Sequence, residues 1–226
     1  MKSRTIIQAL AIICLLSTTS CVSFIERVFF KADGSGTYEF SIDMSSVVSM
    51  MELSGEDMNT DSLLSQLNMD SEGTIAKLEA IGGVNNVRPE FNKETGILSM
   101  VFDFDNIDAL NEGISTYLYD STQTDIVRYE IFSAKGNTFE RSSKNLLMET
   151  FEKSMKEGSN DEELDMDFVK MMFSDMYYAT EITFEKGIKS VSNKEYEEKG
   201  NTIIWKTYPF NDLNDKTDIA VKVKTK

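Results

Sequence analysis

The sequence predicts an α+β fold: a mainly antiparallel sheet of several hairpins with helices packed on one face. Three observations carry that expectation. Segments such as Thr37–Ile42, Ile97–Phe104 and Tyr178–Phe184 alternate apolar and polar residues, the period of a half-buried strand. Turns of three to five residues containing Gly join neighbouring segments of this kind, and short turns make antiparallel pairs. Between them, apolar residues recur at the three-and-four spacing of an amphipathic helix. The chain has 226 residues, 41% apolar and 10% aromatic, which is globular rather than disordered composition.

The first twenty residues stand outside that fold. Lys2 and Arg4 make a short basic start, Ile6–Leu16 is an apolar run broken only by Gln8, and Ser17-Thr18-Thr19-Ser20 leads to Cys21. Charge, apolar segment and small-residue cleavage site, in that order, make residues 1–20 a secretory signal peptide. The apolar run falls short of the ~20 residues needed to cross a bilayer, and no later stretch is longer, so no transmembrane helix is expected.

A Cys placed directly after small residues resembles a bacterial lipoprotein signal. Thr19 and Ser20 suit the two positions before it, while Thr18 stands where that family usually has Leu. Bulky Ile13 and a shortened apolar run disfavour Cys14. The resemblance implies that Cys21 receives diacylglycerol, that cleavage precedes it, and that its new amine takes a fatty acyl chain such as palmitate. It also implies, from the absence of Asp after Cys21, the outer membrane of a Gram-negative cell, on the periplasmic or the surface face. The alternative is a secreted protein cut at the same bond, with one free Cys. Several acyl chains at ~0.8 kcal/mol per buried CH₂ hold a protein far more firmly than one.

The mature chain, residues 21–226, reads as a single α+β domain, with a soft boundary near 142 as the alternative. Cys21 is its only Cys, so no disulfide braces it. Ile25–Ala32 and Thr37–Ile42 form a hairpin around Asp33-Gly34-Ser35-Gly36. Helical stripes follow: Val47, Val48 and Met51 after a Ser45 or Ser46 cap; Leu63, Leu64 and Leu67; and Ile75, Leu78 and Ile81, stopped by Gly82-Gly83. Val84–Phe91 and Ile97–Phe104 make a second hairpin. Asn106 caps a helix to Leu118 with Ile107, Leu110 and Ile114 on its stripe. Ile126–Ala134 and Thr138–Arg141 make a third hairpin through Lys135-Gly136-Asn137. Leu147, Phe151 and Met155, then Leu164, Phe168, Val169, Met172, Phe173 and Met176, stripe two more helices. Tyr178–Phe184, a strand around Ile203 and Trp205 ended by Pro209, and Thr217–Val223 close the chain. The order from Thr37 to Ala134 is that of a ferredoxin-like unit.

Composition excludes several chemistries. With no His, a Ser-His-Asp triad is impossible, and no GxSxG occurs. Removing Lys2 and Arg4 leaves 21 basic against 38 acidic residues, a net −17, which disfavours a nucleic-acid partner. The acidic run Asp161–Asp167 lacks the Gly and terminal Glu of an EF-hand loop; it reads as a solvated helix start, with Ca²⁺ binding as the alternative. The twelve Met of the mature chain fall on apolar stripes and read as core rather than as Cu(I) ligands. Asp103 and Asp105 fit a solvent-facing alternation. Lys216, Lys222, Lys224 and Lys226 read as protection of an edge strand, or else as contacts for anionic lipid heads. No catalytic residue, metal site or cofactor is expected.

Ala32–Thr37, Phe40–Ser45 and Asn201–Trp205 resemble uncharacterised bacterial lipoproteins, and the layout is similar to the LppM-like lipoprotein domain: an opening hairpin, helices, and a terminal hairpin bearing a Trp. The resemblance implies lipid binding and an envelope role. The expected function is therefore a membrane-anchored envelope lipoprotein with a non-catalytic binding or structural role. An apolar, lipid-like ligand would lie in a groove between the sheet and the helices, lined by Met51, Leu67, Phe151, Phe168 and Met172. The alternatives are a carboxylate-based envelope hydrolase and an accessory subunit of a membrane complex.

Overall fold

A computed structural model describes residues 22–46, 48–49, 72–118, 128–146, 149, 174–211 and 218–226. Among these, eleven strands and two helices are bounded. The strands are β1 (Ser23–Phe30), β2 (Gly36–Asp43), β3 (Val84–Asn92), β4 (Ile97–Phe104), β5 (Phe132–Lys135), β6 (Thr138–Arg141), β7 (Tyr178–Phe184), β8 (Ile188–Val191), β9 (Glu197–Lys199), β10 (Thr202–Thr207) and β11 (Val221–Thr225). The helices are α1 (Glu72–Glu79) and α2 (Ile107–Tyr117).

Seven strands form one mixed sheet in the order β3-β4-β2-β1-β7-β10-β9, and four form a second in the order β5-β6-β11-β8. The hairpins expected at β1–β2, β3–β4 and β5–β6 are all present. One pairing in the large sheet is parallel: β1 lies beside β7 with Phe24 opposite Tyr178 and Phe30 opposite Phe184. β1 thereby occupies the middle of the seven strands.

Alternation sorts the large sheet into two faces. Val28, Phe30, Tyr38, Phe102, Phe104, Ile182, Phe184, Ile203 and Trp205 point inward and are buried. Phe30 joins the layers, meeting Phe132 and Phe139 of the small sheet at centroid distances of 5.7 and 4.9 Å. Each such side chain contributes roughly 1.5–3 kcal/mol by leaving water. The opposite face carries the charged side chains, beside buried Ile25, Val101 and Ala179. There Arg27 donates to Glu39 at 2.8 Å and to Glu181 at 3.1 Å, tying β2 and β7 across β1.

α2 packs on the inner face. Asn106 is its N-cap, its side chain accepting the Ala109 N–H at 2.9 Å. Leu110 and Ile114 are fully buried on the expected stripe. Gly113 lets the helix approach closely, because a Cβ there would stand 2.8 Å from the Phe102 ring. Gly36 is equally constrained at the first hairpin, where a Cβ would meet the Phe29 carbonyl oxygen.

Several expectations are corrected. β11 is not an edge strand: it lies between β6 and β8, so Lys222 and Lys224 line the exposed side of an interior strand. Lys222 there pairs with Glu140 at 2.8 Å. The ferredoxin-like reading holds for β2, β3 and β4, which lie in the order β3-β4-β2; β1 then takes the position that β5 would need. β5 begins at Phe132, and the described residues 128–131 before it are not strand, because Asn111 of α2 captures the chain there. Asn111 Oδ1 accepts from the N–H of Ile131 (3.1 Å) and Phe132 (2.8 Å), and its Nδ2 donates to the Phe132 carbonyl (2.8 Å). The helical turn after β2 starts at Ser45: the Met44 carbonyl accepts the first helical N–H, from Val48, and Asp43 Oδ1 accepts the Ser45 N–H, so the start lies ahead of the expected Ser45 or Ser46 cap. β8 and β9 were not foreseen.

Candidate functional site

Two places on the described chain combine polar groups with structural position: the sheet end beside residue 21, and a polar centre within the core.

The sheet end is set by β1. Its first residue, Ser23, pairs with Asp43, and the Phe24 N–H donates to the Tyr177 carbonyl at 2.9 Å. Tyr178 and Thr207 are opposite one another in β7 and β10, so Tyr177 and Tyr208 follow at the same end. Alternation places Tyr177, Lys206 and Tyr208 on the charged face. The two rings lie 6.2 Å apart, and Lys206 Nζ sits 3.5 Å from the Tyr177 centroid and 4.9 Å from that of Tyr208. β10 ends one residue before Tyr208-Pro209, as Pro209 requires, and the Asn211 N–H closes a turn onto the Tyr208 carbonyl.

The polar centre lies on the inner face. Glu26 shares that face with Phe24 and Val28, and its side chain is 5% exposed; that of Arg141, on β6, is 2% exposed. Arg141 Nη2 donates to Glu26 Oε2 at 3.0 Å and to the Tyr178 hydroxyl at 3.2 Å. Nη1 donates to the carbonyls of Ser142 (3.1 Å) and Lys144 (3.2 Å). Tyr178 donates to Glu26 Oε2 at 3.0 Å, and the Tyr38 hydroxyl reaches Oε1 at 3.3 Å. The Thr180 hydroxyl lies 3.0 Å from Glu26 Oε2 and 2.9 Å from the Tyr178 hydroxyl. Arg141 Nε alone in this group has no hydrogen-bond partner.

Burial governs the titration of the phenols here. Desolvation, reinforced by the Glu26 carboxylate, pushes Tyr38 and Tyr178 well above the ordinary tyrosine value. Burial would lower Arg141, but attraction to Glu26 outweighs it and holds the guanidinium charged. The cluster is thus a charge pair solvated by hydroxyls, and it joins the large sheet to the small one.

Space around it is small. The cavity bounded by Glu26, Tyr38, Tyr178, Arg141, Ile114 and Leu118 measures about 10 Å³, close to one water molecule and far below the 300–1,000 Å³ of a ligand pocket. A second, open groove of about 490 Å³ runs past Glu140, Ser192, Asn193, Lys194, Asp218 and Lys222. Its polar groups serve the fold: Asn193 Nδ2 donates to the carbonyls of Asp218 (2.9 Å) and Ala220 (3.0 Å).

Cys21 and the expected groove residues Met51, Leu67, Phe151, Phe168 and Met172 lie outside the described residues, as does the acidic run Asp161–Asp167. Asp103 is on the charged face as expected, accepting from Thr37 (2.8 Å) and Asn86 (2.8 Å). Met44, Met100 and Met176 are core residues. Glu26 and Arg141 were missed, although alternation through Phe24, Glu26 and Val28 already sets a carboxylate on an apolar face. Among the described residues, no group of three acidic or Cys side chains is placed to hold a metal ion, and no helix is long and apolar enough to cross a membrane.

No family model and no curated protein matches the chain. Among solved structures, the chain is similar to the NMR structure of the folded domain of the Mycobacterium tuberculosis LppM protein, with a TM-score of 0.41 and 8% identity over 91% of this chain and 90% of that one.

Proposed function

We propose that this is a lipid-anchored protein of the cell envelope, attached through Cys21 to the outer membrane of a Gram-negative cell, whose domain has a non-catalytic binding or structural role. The observation that carries the reading is the placement of β1. The strand that begins two residues after Cys21 is the middle strand of the larger sheet, bonded on both sides, so force on the anchor passes directly into the centre of the fold. The signal-like order of residues 1–21 supplies the chemistry of attachment. Arg141 and Glu26, the most deeply buried ion pair described, neutralise one another inside the core, which suits a rigid body. The ligand we propose for the binding role is apolar and acyl-chain-like, on the Met and Phe stripes read in the sequence.

Intact-mass analysis of membrane-extracted protein tests the anchor. Loss of residues 1–20 with acyl mass on Cys21 is expected, and Cys21→Ser should carry no acyl mass. Unsubstituted membrane-extracted protein that keeps residues 1–20 and has no acyl mass indicates a plain signal anchor and refutes the lipid. Native mass spectrometry of the same material tests the ligand, which the absence of any co-purified lipid mass argues against.

A further inference from the structure

The end of the sheet where β1 begins has a distinctive chemistry. Tyr177, Lys206 and Tyr208 are half-buried side chains on one face, at the level where β1 begins. Two amphipathic rings flank an ammonium group, with Nζ 3.5 and 4.9 Å from their centroids. Tyr and Lys are the residues that sit at a membrane–water boundary, the ring carbon toward the acyl region and the hydroxyl or ammonium in the headgroup layer.

We infer that this cluster is a bilayer contact, seated in the headgroup layer of a zwitterionic membrane when Cys21 carries its lipid. The inference rests on acylation of Cys21. Its geometric basis is chain length. Two residue steps lead from Cys21 to Ser23, a reach of at most about 7 Å, so the hydrocarbon boundary lies close to this end of the sheet. The Tyr177 carbonyl is bonded to Phe24, which holds the cluster beside the point of attachment rather than on a separate loop. Charge selects the lipid. Asp43 and Asp175 lie near the same end and the mature chain is net −17, so an anionic surface is repelled overall, while a zwitterionic headgroup offers its phosphate to Lys206 and hydrogen bonds to the phenols. The opposite end of β1, with Phe29 36% exposed and the Asp33–Ser35 turn, then stands about 20 Å or more from the membrane, seven residue steps along the strand.

The test places the acylated full-length product in phosphatidylcholine nanodiscs and records its NMR spectrum with and without a headgroup spin label. Signals of Tyr177, Lys206 and Tyr208 should lose intensity several-fold, while Phe29, Gly34 and Ser35 keep theirs. If intact mass confirms acylation and the cluster is no more broadened than Phe29, the contact is overturned and the anchor stands. If the protein in the preparation is unacylated, the anchor fails and the contact fails with it. Equal binding of the cluster to phosphatidylglycerol nanodiscs overturns the choice of headgroup.

Discussion

Replacing Arg141 with Met removes a buried cation and leaves its partner in place. Glu26 would then keep the hydroxyls of Tyr178, Thr180 and Tyr38 but lose the charge 3.0 Å away, in surroundings where its side chain is only 5% exposed. Breaking one side of a buried pair costs about 3–5 kcal/mol. The carbonyls of Ser142 and Lys144 also lose their donor, which places the expected loss toward the upper end of that range. For a domain of this size the melting temperature should fall by about 6–20 °C. Removing both charges is different: in Glu26→Gln/Arg141→Met no ion remains uncompensated, and the double variant should lie at least about 2 kcal/mol above the sum of the single losses. Urea unfolding followed by circular dichroism measures all four corners of the cycle. An Arg141→Met protein within about 1 kcal/mol of the parent, or strict additivity, refutes the claim that the pair is electrostatically committed.

Gly113→Ala should destabilise the domain by about 1–3 kcal/mol, despite better helix propensity, because the new methyl meets Phe102; a thermal melt that rises contradicts the close helix–sheet approach. Asn111→Ala should cost about 2–4 kcal/mol and raise amide exchange at Ile131 and Phe132, whose N–H groups it leaves unpaired; unchanged exchange there removes the basis for the strand's late start. Because burial raises Tyr38 and Tyr178 in the folded state, their contribution is intact below about pH 10 and is lost as pH rises above it, so tyrosinate absorbance should appear together with loss of helix and sheet. Independent titration of those tyrosines in a folded domain argues against their burial. Asp103 is shifted the other way: burial opposes the change, but hydrogen bonds from Asn86 and Thr37 hold it below its ordinary value. Its stabilisation is present above about pH 4 and lost as pH falls further, so Asp103→Ala should flatten the acid limb of the stability curve.

Local patterning carried much of the architecture. The period-two runs at β2, β4 and β7 were legible because one face is fully apolar, and Asn106 was legible as a cap because its type and position suit only that role. β8 and β9 were not, since Ile188-Lys189-Ser190-Val191 and Glu197-Glu198-Lys199 carry too little apolar surface to show a period; pairing with β11 and β10 makes them strands. The same limit hid the place of β11. Its Lys residues match the solvent side of either an edge or an interior strand, and only register tells these apart. Within the polar centre, Glu26 could be seen as an anomaly on an apolar face. Its partner could not, because Arg141 is 115 residues away and on another sheet.

The parallel pairing of β1 with β7 also sets a timetable. Their partners are 154 residues apart, as in the contact between Arg27 and Glu181. Hairpins such as β1–β2 and β3–β4 close short loops and can form as soon as their residues are present. The other half of the larger sheet has no seam to join until β7 arrives, and the Glu26 carboxylate has no cation until β6 does. Closing so long a loop is slow compared with hairpin formation. The middle strand of the sheet is therefore the earliest to be made and among the last to be enclosed, so a chain synthesised from its N-terminus stays without a finished core until most of it has been made.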